Sequence, residues 1–131
     1  MDYNALGDVY DASEDVLEVW ILTGRDQSTV LKTMVDDTFT PSTGIPVNVM
    51  LVDPNALLNA VVAGNGPDVV ISTDSWNPVN YALRHAVEDL TQFDDLQEVL
   101  DQFYPSAYAA FSFNGGLYAL PETQLCSILF Y

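Results

Sequence analysis

Apolar positions along the chain follow two rhythms. Short continuous runs rich in β-branched residues alternate with stretches where apolar residues recur every three or four positions, the patterns of buried strands and of amphipathic helices. The runs are Val16–Leu22 (Val-Leu-Glu-Val-Trp-Ile-Leu), Pro46–Val52 and Asp68–Ser72. The first is nearly all apolar and stops at Thr23-Gly24, which predicts a central strand. In the third, Val69-Val70-Ile71 is preceded by the breaker Gly66-Pro67 and followed by polar residues. Its unbroken apolar character predicts a strand buried on both faces.

The intervening stretches predict helices. Over Asp26–Phe39, Val30, Leu31, Met34, Val35 and Thr38 share one face, with Lys32, Asp36 and Asp37 outside it and Asp26 or Gly24 as the cap. Pro41–Gly44 reads as the following loop. Asp53-Pro54 sets a capping residue before a proline at the first helical position. That helix runs to about Ala63 and buries Leu57, Leu58, Val61 and Val62. Asn77-Pro78 repeats the arrangement for a helix to about Ala86 burying Val79, Ala82, Leu83 and Ala86. The resulting β-α-β-α-β-α order implies right-handed crossovers and an α/β fold with a mostly parallel sheet flanked by helices.

Beyond Glu88–Phe93, a connector, the elements shorten. Asp94 or Asp95 can cap a helix carrying Leu96, Val99, Leu100 and Phe103, and Pro105 opens a further turn or two to Phe111. Phe111–Phe113 and Gly116–Leu120 then flank Asn114-Gly115, the pair that supplies both positive φ angles of a tight turn, and predict a β-hairpin near the C-terminus. Pro121 closes it, Glu122-Thr123-Gln124 is a polar loop, and Leu125–Tyr131 reads as a last strand. Residues 1–15 are acidic, with scattered Tyr3, Leu6, Val9 and Tyr10, and read as a linker or loosely docked leader.

The chain has 131 residues, enough for one domain with a real core, and a formal net charge of -16 with only Arg25, Lys32 and Arg84 positive. That charge disfavours nucleic acid and anionic membrane surfaces as partners. Cys126 is the single cysteine, so no disulfide framework forms within the chain, and its apolar surroundings predict a buried, inert thiol. The first residues lack the basic and apolar regions of a secretory signal, and Ser127–Tyr131 breaks off within a β-prone run. The first leaves either a cytoplasmic protein or a piece of something longer, and the second predicts the piece. A parallel sheet cut short leaves open edges and predicts self-association.

In open α/β sheets ligands collect at the carboxyl ends of the strands. Thr73, Asp74, Ser75 and Trp76 follow the third strand there, and Thr23, Gly24 and Arg25 follow the first. His85, the only histidine, has no Ser, Cys or second His at catalytic spacing and reads as a surface or packed residue. Asp36-Asp37 and Asp94-Asp95 are adjacent pairs that diverge on a helix, which makes them poor catalytic dyads. No EF-hand loop, phosphate loop or dinucleotide fingerprint occurs, and no cofactor or metal is predicted.

Thr43-Gly-Ile-Pro-Val-Asn-Val49, Ala63-Gly-Asn-Gly-Pro-Asp-Val-Val-Ile71, and Asn114-Gly-Gly-Leu-Tyr-Ala-Leu-Pro-Glu-Thr123 followed by Ser127-Ile-Leu-Phe-Tyr131 stand in register with one family. Over Val16–Tyr131 the chain resembles the extracellular solute-binding proteins of the sugar-binding type that feed ABC transporters. The resemblance implies that 16–131 are part of the amino-terminal lobe of a two-lobed, periplasmic-binding-protein-like molecule. It implies no enzymatic activity, closure around a mono- or oligosaccharide, and delivery to a membrane permease. It also implies an extracellular or periplasmic location with a lipoprotein anchor in the full-length form.

In that setting Trp76 can stack its indole on the C–H face of a pyranose, or pack on a neighbouring helix. Asp74 can accept from sugar hydroxyls or cap the next helix, and Thr73 and Ser75 have the same two readings. Trp20, Tyr118 and Tyr131 read as core. In the resembled family the loop after the hairpin lies near the hinge, which adds Glu122 and Gln124 to the ligand candidates. Two rivals share parts of the pattern. A flavodoxin-like signalling domain needs an acidic cluster after its first strand, where this chain has Leu22-Thr-Gly24. A small hydrolase would use carboxylates such as Asp74 and Glu122.

Overall fold

In the computed structural model, whose described residues are Leu6, 15–123, Ile128 and Leu129, the three apolar runs become one parallel sheet. Strand β1 (Leu17–Ile21) lies between β2 (Val47–Leu51) and β3 (Val69–Ile71). The register sets Val19 opposite both Val49 and Val69, and Ile21 opposite both Leu51 and Ile71. The chain divides into two compact units, Met1–Thr73 and Asp74–Tyr131, and the sheet belongs to the first.

Alternation along each strand separates two faces. Val19, Ile21, Val47 and Val49 turn to one side and form the core with Leu6, backed by Leu17, Leu31, Val35 and Ile71. Full burial of one such side chain contributes roughly 1.5–3 kcal/mol. Leu6, in the acidic leader, is tied to this core, because its N–H donates to the Val49 carbonyl at 3.0 Å. On the opposite face Glu18 accepts from the Asn48 side chain at 2.7 Å, across the register pair Glu18–Asn48. The Glu18 N–H also donates to the Asp68 carboxylate at 2.9 Å, so one residue links β1 to both neighbours.

Helix α1 (Arg25–Met34) follows β1 and differs from the predicted helix in its buried face. Val30 is 60% exposed and Met34 59%, whereas Lys32 is 6% exposed and Ser28 is fully buried. The inward stripe is Ser28, Leu31, Lys32 and Val35, at helical spacing. Lysine can line such a stripe because its stem is apolar, and its ammonium meets the Asp36 carboxylate at 2.6 Å. The helical course does not stop at Phe39. Val35–Phe39 form a π-helical turn, in which the Thr40 N–H reaches back to the Val35 carbonyl, and α2 (Thr40–Thr43) follows. The predicted loop at Pro41 is therefore helical as far as Gly44. A π-turn inserts an extra residue, which rotates Thr38 off the expected face and lets proline enter a helical run.

Helix α3 (Pro54–Val62) opens as predicted, with the Asp53 carboxylate accepting from the Asn55 N–H at 2.8 Å. Leu57 is buried and Leu58 and Val61 are partly buried, but Val62 is 79% exposed because it falls one position beyond that stripe. β3 also departs from expectation. It is an edge of the three-stranded sheet, and Val69 is exposed rather than buried on both faces.

The second unit contains α4 (Asn77–Ala82), a 3-10 turn at Leu90–Gln92, α5 (Leu96–Leu100), α6 (Pro105–Tyr108), a 3-10 turn at Ala109–Phe111, and the hairpin β4 (Ser112–Phe113) and β5 (Gly116–Leu117). Asn114 and Gly115 supply φ angles of 50° and 86°, as the Asn-Gly pair predicts. α4 ends at Ala82, short of Ala86, so Leu83 lies in a turn and is exposed. β5 ends at Leu117, short of Leu120. The predicted final strand lies largely outside the described residues, as do Gln124, Cys126 and Tyr131; Ile128 and Leu129 are exposed.

Ile21→Ala is expected to cost about 2–5 kcal/mol, through lost burial and a residual cavity. Val62→Ala is expected to stay within about 0.5 kcal/mol. Urea unfolding midpoints of the two variants check the contrast; equal losses would contradict the core assignment.

Candidate functional site

The parallel register brings two predicted segments to one edge of the first unit. Leu22 N–H donates to the Ile71 carbonyl at 3.1 Å, so β1 and β3 end level. Thr23 and Thr73 each stand two residues past the register pair Ile21–Ile71. Ser72, between β3 and Thr73, has a φ of 65°. A left-handed serine costs about 1–2 kcal/mol, and this one turns the chain sharply as it leaves the strand.

Gly24 occupies the N-cap position of α1 with ordinary extended backbone, φ -67° and ψ 156°. Its carbonyl accepts from the Ser28 N–H at 3.1 Å and from Ser28 Oγ at 2.9 Å. These bonds from a buried serine hold the β1–α1 turn in place. A Cβ added to Gly24 would meet nothing within 4 Å. Neither conformation nor packing requires glycine there, so its bareness leaves backbone open to a close approach from outside. Beside it, the Thr23 hydroxyl donates to the Gln27 side-chain carbonyl one helical turn on. Arg25 is exposed, as a surface cation would be.

Asp74, Ser75 and Trp76 open the second unit, and the structure removes two bland explanations for them. α4 carries no side-chain cap bond, and it is the Asp74 carbonyl, not its carboxylate, that accepts from the Asn77 N–H at 3.0 Å. The capping reading of Asp74 therefore fails. Trp76, rather than Asn77, takes the N-cap position, and it is 68% exposed, so it does not pack on a helix. Glu122 is exposed in the segment after the hairpin, and Gln124 lies outside the described residues. His85 is exposed too.

Asp89 is a residue that sequence reasoning missed. Its carboxylate accepts from the Thr91 N–H at 2.9 Å, the Thr91 hydroxyl at 2.8 Å and the Leu117 N–H at 3.2 Å. It thereby ties the 3-10 turn at Leu90–Gln92 to β5, ahead of Glu122. A Cβ on Gly116 would come within 2.7 Å of that carboxylate and of the Tyr118 hydroxyl, which accounts for a glycine at this position. The Asp-x-Thr spacing was a visible capping signal; the bond to Leu117 was not. A shallow hollow of about 260 Å³ lies nearby, lined by Leu96, Leu100, Tyr108, Leu117 and their neighbours. None of the predicted ligand residues among those described lines it.

A parallel three-stranded sheet flanked by helices, with a separate antiparallel hairpin, defines an α/β fold. Solved structures agree. CpMnBP1 with mannotriose bound superposes with a TM-score of 0.70 at 23% identity, over 83% of this chain and 28% of that one. CpMnBP1 with mannobiose bound gives 0.68 at 23% identity, over 82% and 29%. An extracellular solute-binding protein of family 1 from Alicyclobacillus acidocaldarius gives 0.71 at 20% identity, over 81% and 27%. This chain thus spans less than a third of the length of these neighbours, which are binding proteins rather than enzymes, and the likeness establishes the fold. No protein-family profile and no curated protein sequence matches the chain.

The bonds from Thr91, first its amide and then its hydroxyl, and the bond from Leu117 hold the Asp89 carboxyl below its ordinary value. A depressed folded value means the contribution is present above the unfolded value of about 3.9 and is lost as pH falls through the folded one. Asp89→Asn is therefore expected to lower the urea midpoint at pH 7, with the gap to wild type closing below about pH 4. A gap unchanged by pH would contradict the staple.

Proposed function

We propose that the chain forms part of the amino-terminal lobe of an extracellular solute-binding protein. It binds a mono- or oligosaccharide and, in the full-length form, hands it to an ABC-transporter permease. The role is non-enzymatic: stacking and hydrogen bonds select the solute, and hinge closure in the complete protein encloses it. The full-length protein is extracellular or periplasmic and held at the membrane by a lipid anchor.

The observation that carries this reading is the parallel register, in which β1 and β3 end level at Ile21 and Ile71, with Thr23, Gly24 and Thr73 just past those ends. One of the solved neighbours, CpMnBP1, holds mannobiose or mannotriose, which supports carbohydrate as the solute class. Trp76 and Asp74, which open the second unit, stay ligand candidates on their own account, as an exposed indole and a carboxylate without a capping bond. Ser75, Glu122 and Gln124 are the polar ligand candidates we assign to the second unit. Stacking needs a face that water reaches in the free protein, and exposed Trp76 has one.

Calorimetric titration with mannobiose tests the proposal. Wild type is expected to bind saturably. Gly24→Ala fits the backbone and the free space, and is expected to keep or raise the melting temperature while weakening binding by about 10-fold or more, a cost of at least ~1.4 kcal/mol. Absence of binding by wild type, or full affinity in Gly24→Ala, would contradict the assigned site.

A further inference from the structure

We infer that Gln27 both fixes the hydrogen-bonding polarity of Thr23 and offers its own amide N–H, so that the two side chains together grip a single ligand hydroxyl. This rests on the carbohydrate reading above. A threonine hydroxyl has one proton to donate and two lone pairs. Here the proton is committed to the Gln27 side-chain carbonyl. Thr23 Oγ1 is then acceptor only towards anything that approaches it.

Gln27 stands four residues on, in the first turn of α1, where side chains four apart meet on one face. Its NH2 group makes no hydrogen bond among the described residues, so it retains two donors. The pair therefore presents one acceptor and one donor side by side. A sugar hydroxyl matches both at once, donating to Thr23 Oγ1 and accepting from Gln27 Nε2. A carboxylate or an ether oxygen cannot, because neither donates. The turn that carries the pair is held by the two Ser28 bonds to the Gly24 carbonyl, and the missing Cβ at Gly24 leaves the approach clear. The pair thus selects neutral polyols over acidic solutes at this edge.

Gln27→Glu isolates the donor. The glutamate keeps an acceptor for the Thr23 proton and suits the first turn of a helix, so the melting temperature is expected to hold. It has no N–H to offer. In mannobiose calorimetry Gln27→Glu and Thr23→Val are each expected to weaken binding about 3- to 10-fold. The double variant is expected to lose less than the product, because the residues act as one unit. If wild type binds while Gln27→Glu keeps full affinity, or the losses simply multiply, the inference is overturned and the carbohydrate reading stands. If wild type shows no saturable binding, that reading falls and this one with it.

Discussion

Hydrogen bonding of β1 on both sides is the constraint on which the first unit depends. A strand between two parallel neighbours must satisfy its backbone in two directions, and its register then fixes where both neighbouring strands end. Glu18 pins that register from both sides, through Asn48 on β2 and Asp68 beside β3. A slip of one residue would bring Val19 and Ile21 out of the core and expose the charged face to it. The level exit of β1 and β3 follows from this pairing.

Around that frame the sequence spends its unusual local features on turns rather than on the core. Ser72 takes a left-handed conformation immediately past β3, and Gly24 sits bare at the start of α1 without a conformational need for it. Strain and missing side chains at strand ends cost stability and gain room, a trade that suits a surface approached by something else. In the second unit the equivalent feature is Asp89, whose carboxylate ties a 3-10 turn to a hairpin only two residue pairs long, at buried Leu117.

Most of the architecture was legible in the sequence because it rests on local signals. Three apolar runs gave three parallel strands with the first in the centre, Asp53-Pro54 opened a helix, and Asn114-Gly115 turned a hairpin. What escaped depends on atoms far apart or on backbone detail. Lys32 reads as an outward residue by its charge, yet its stem lines the core side and Asp36 takes its ammonium. The π-turn at Val35–Phe39 has no apolar signature, so the shifted face beyond it was invisible. β3 looked like a fully covered strand, since composition alone does not tell an edge from a centre when the run is this short. Of the candidate site, Thr23, Gly24 and Thr73 were legible from topology; Gln27 was not, because only the side-chain bond to Thr23 singles it out.

The central claim is that a carbohydrate meets this chain at the carboxyl edge of its parallel sheet. The most direct test is an NMR titration with mannotriose that follows backbone amides and tryptophan indoles. The account predicts saturable shifts at the amides of Thr23, Gly24 and Thr73. Saturable shifts confined to the hollow around Leu96, Tyr108 and Leu117, or no saturable shift anywhere, would contradict it.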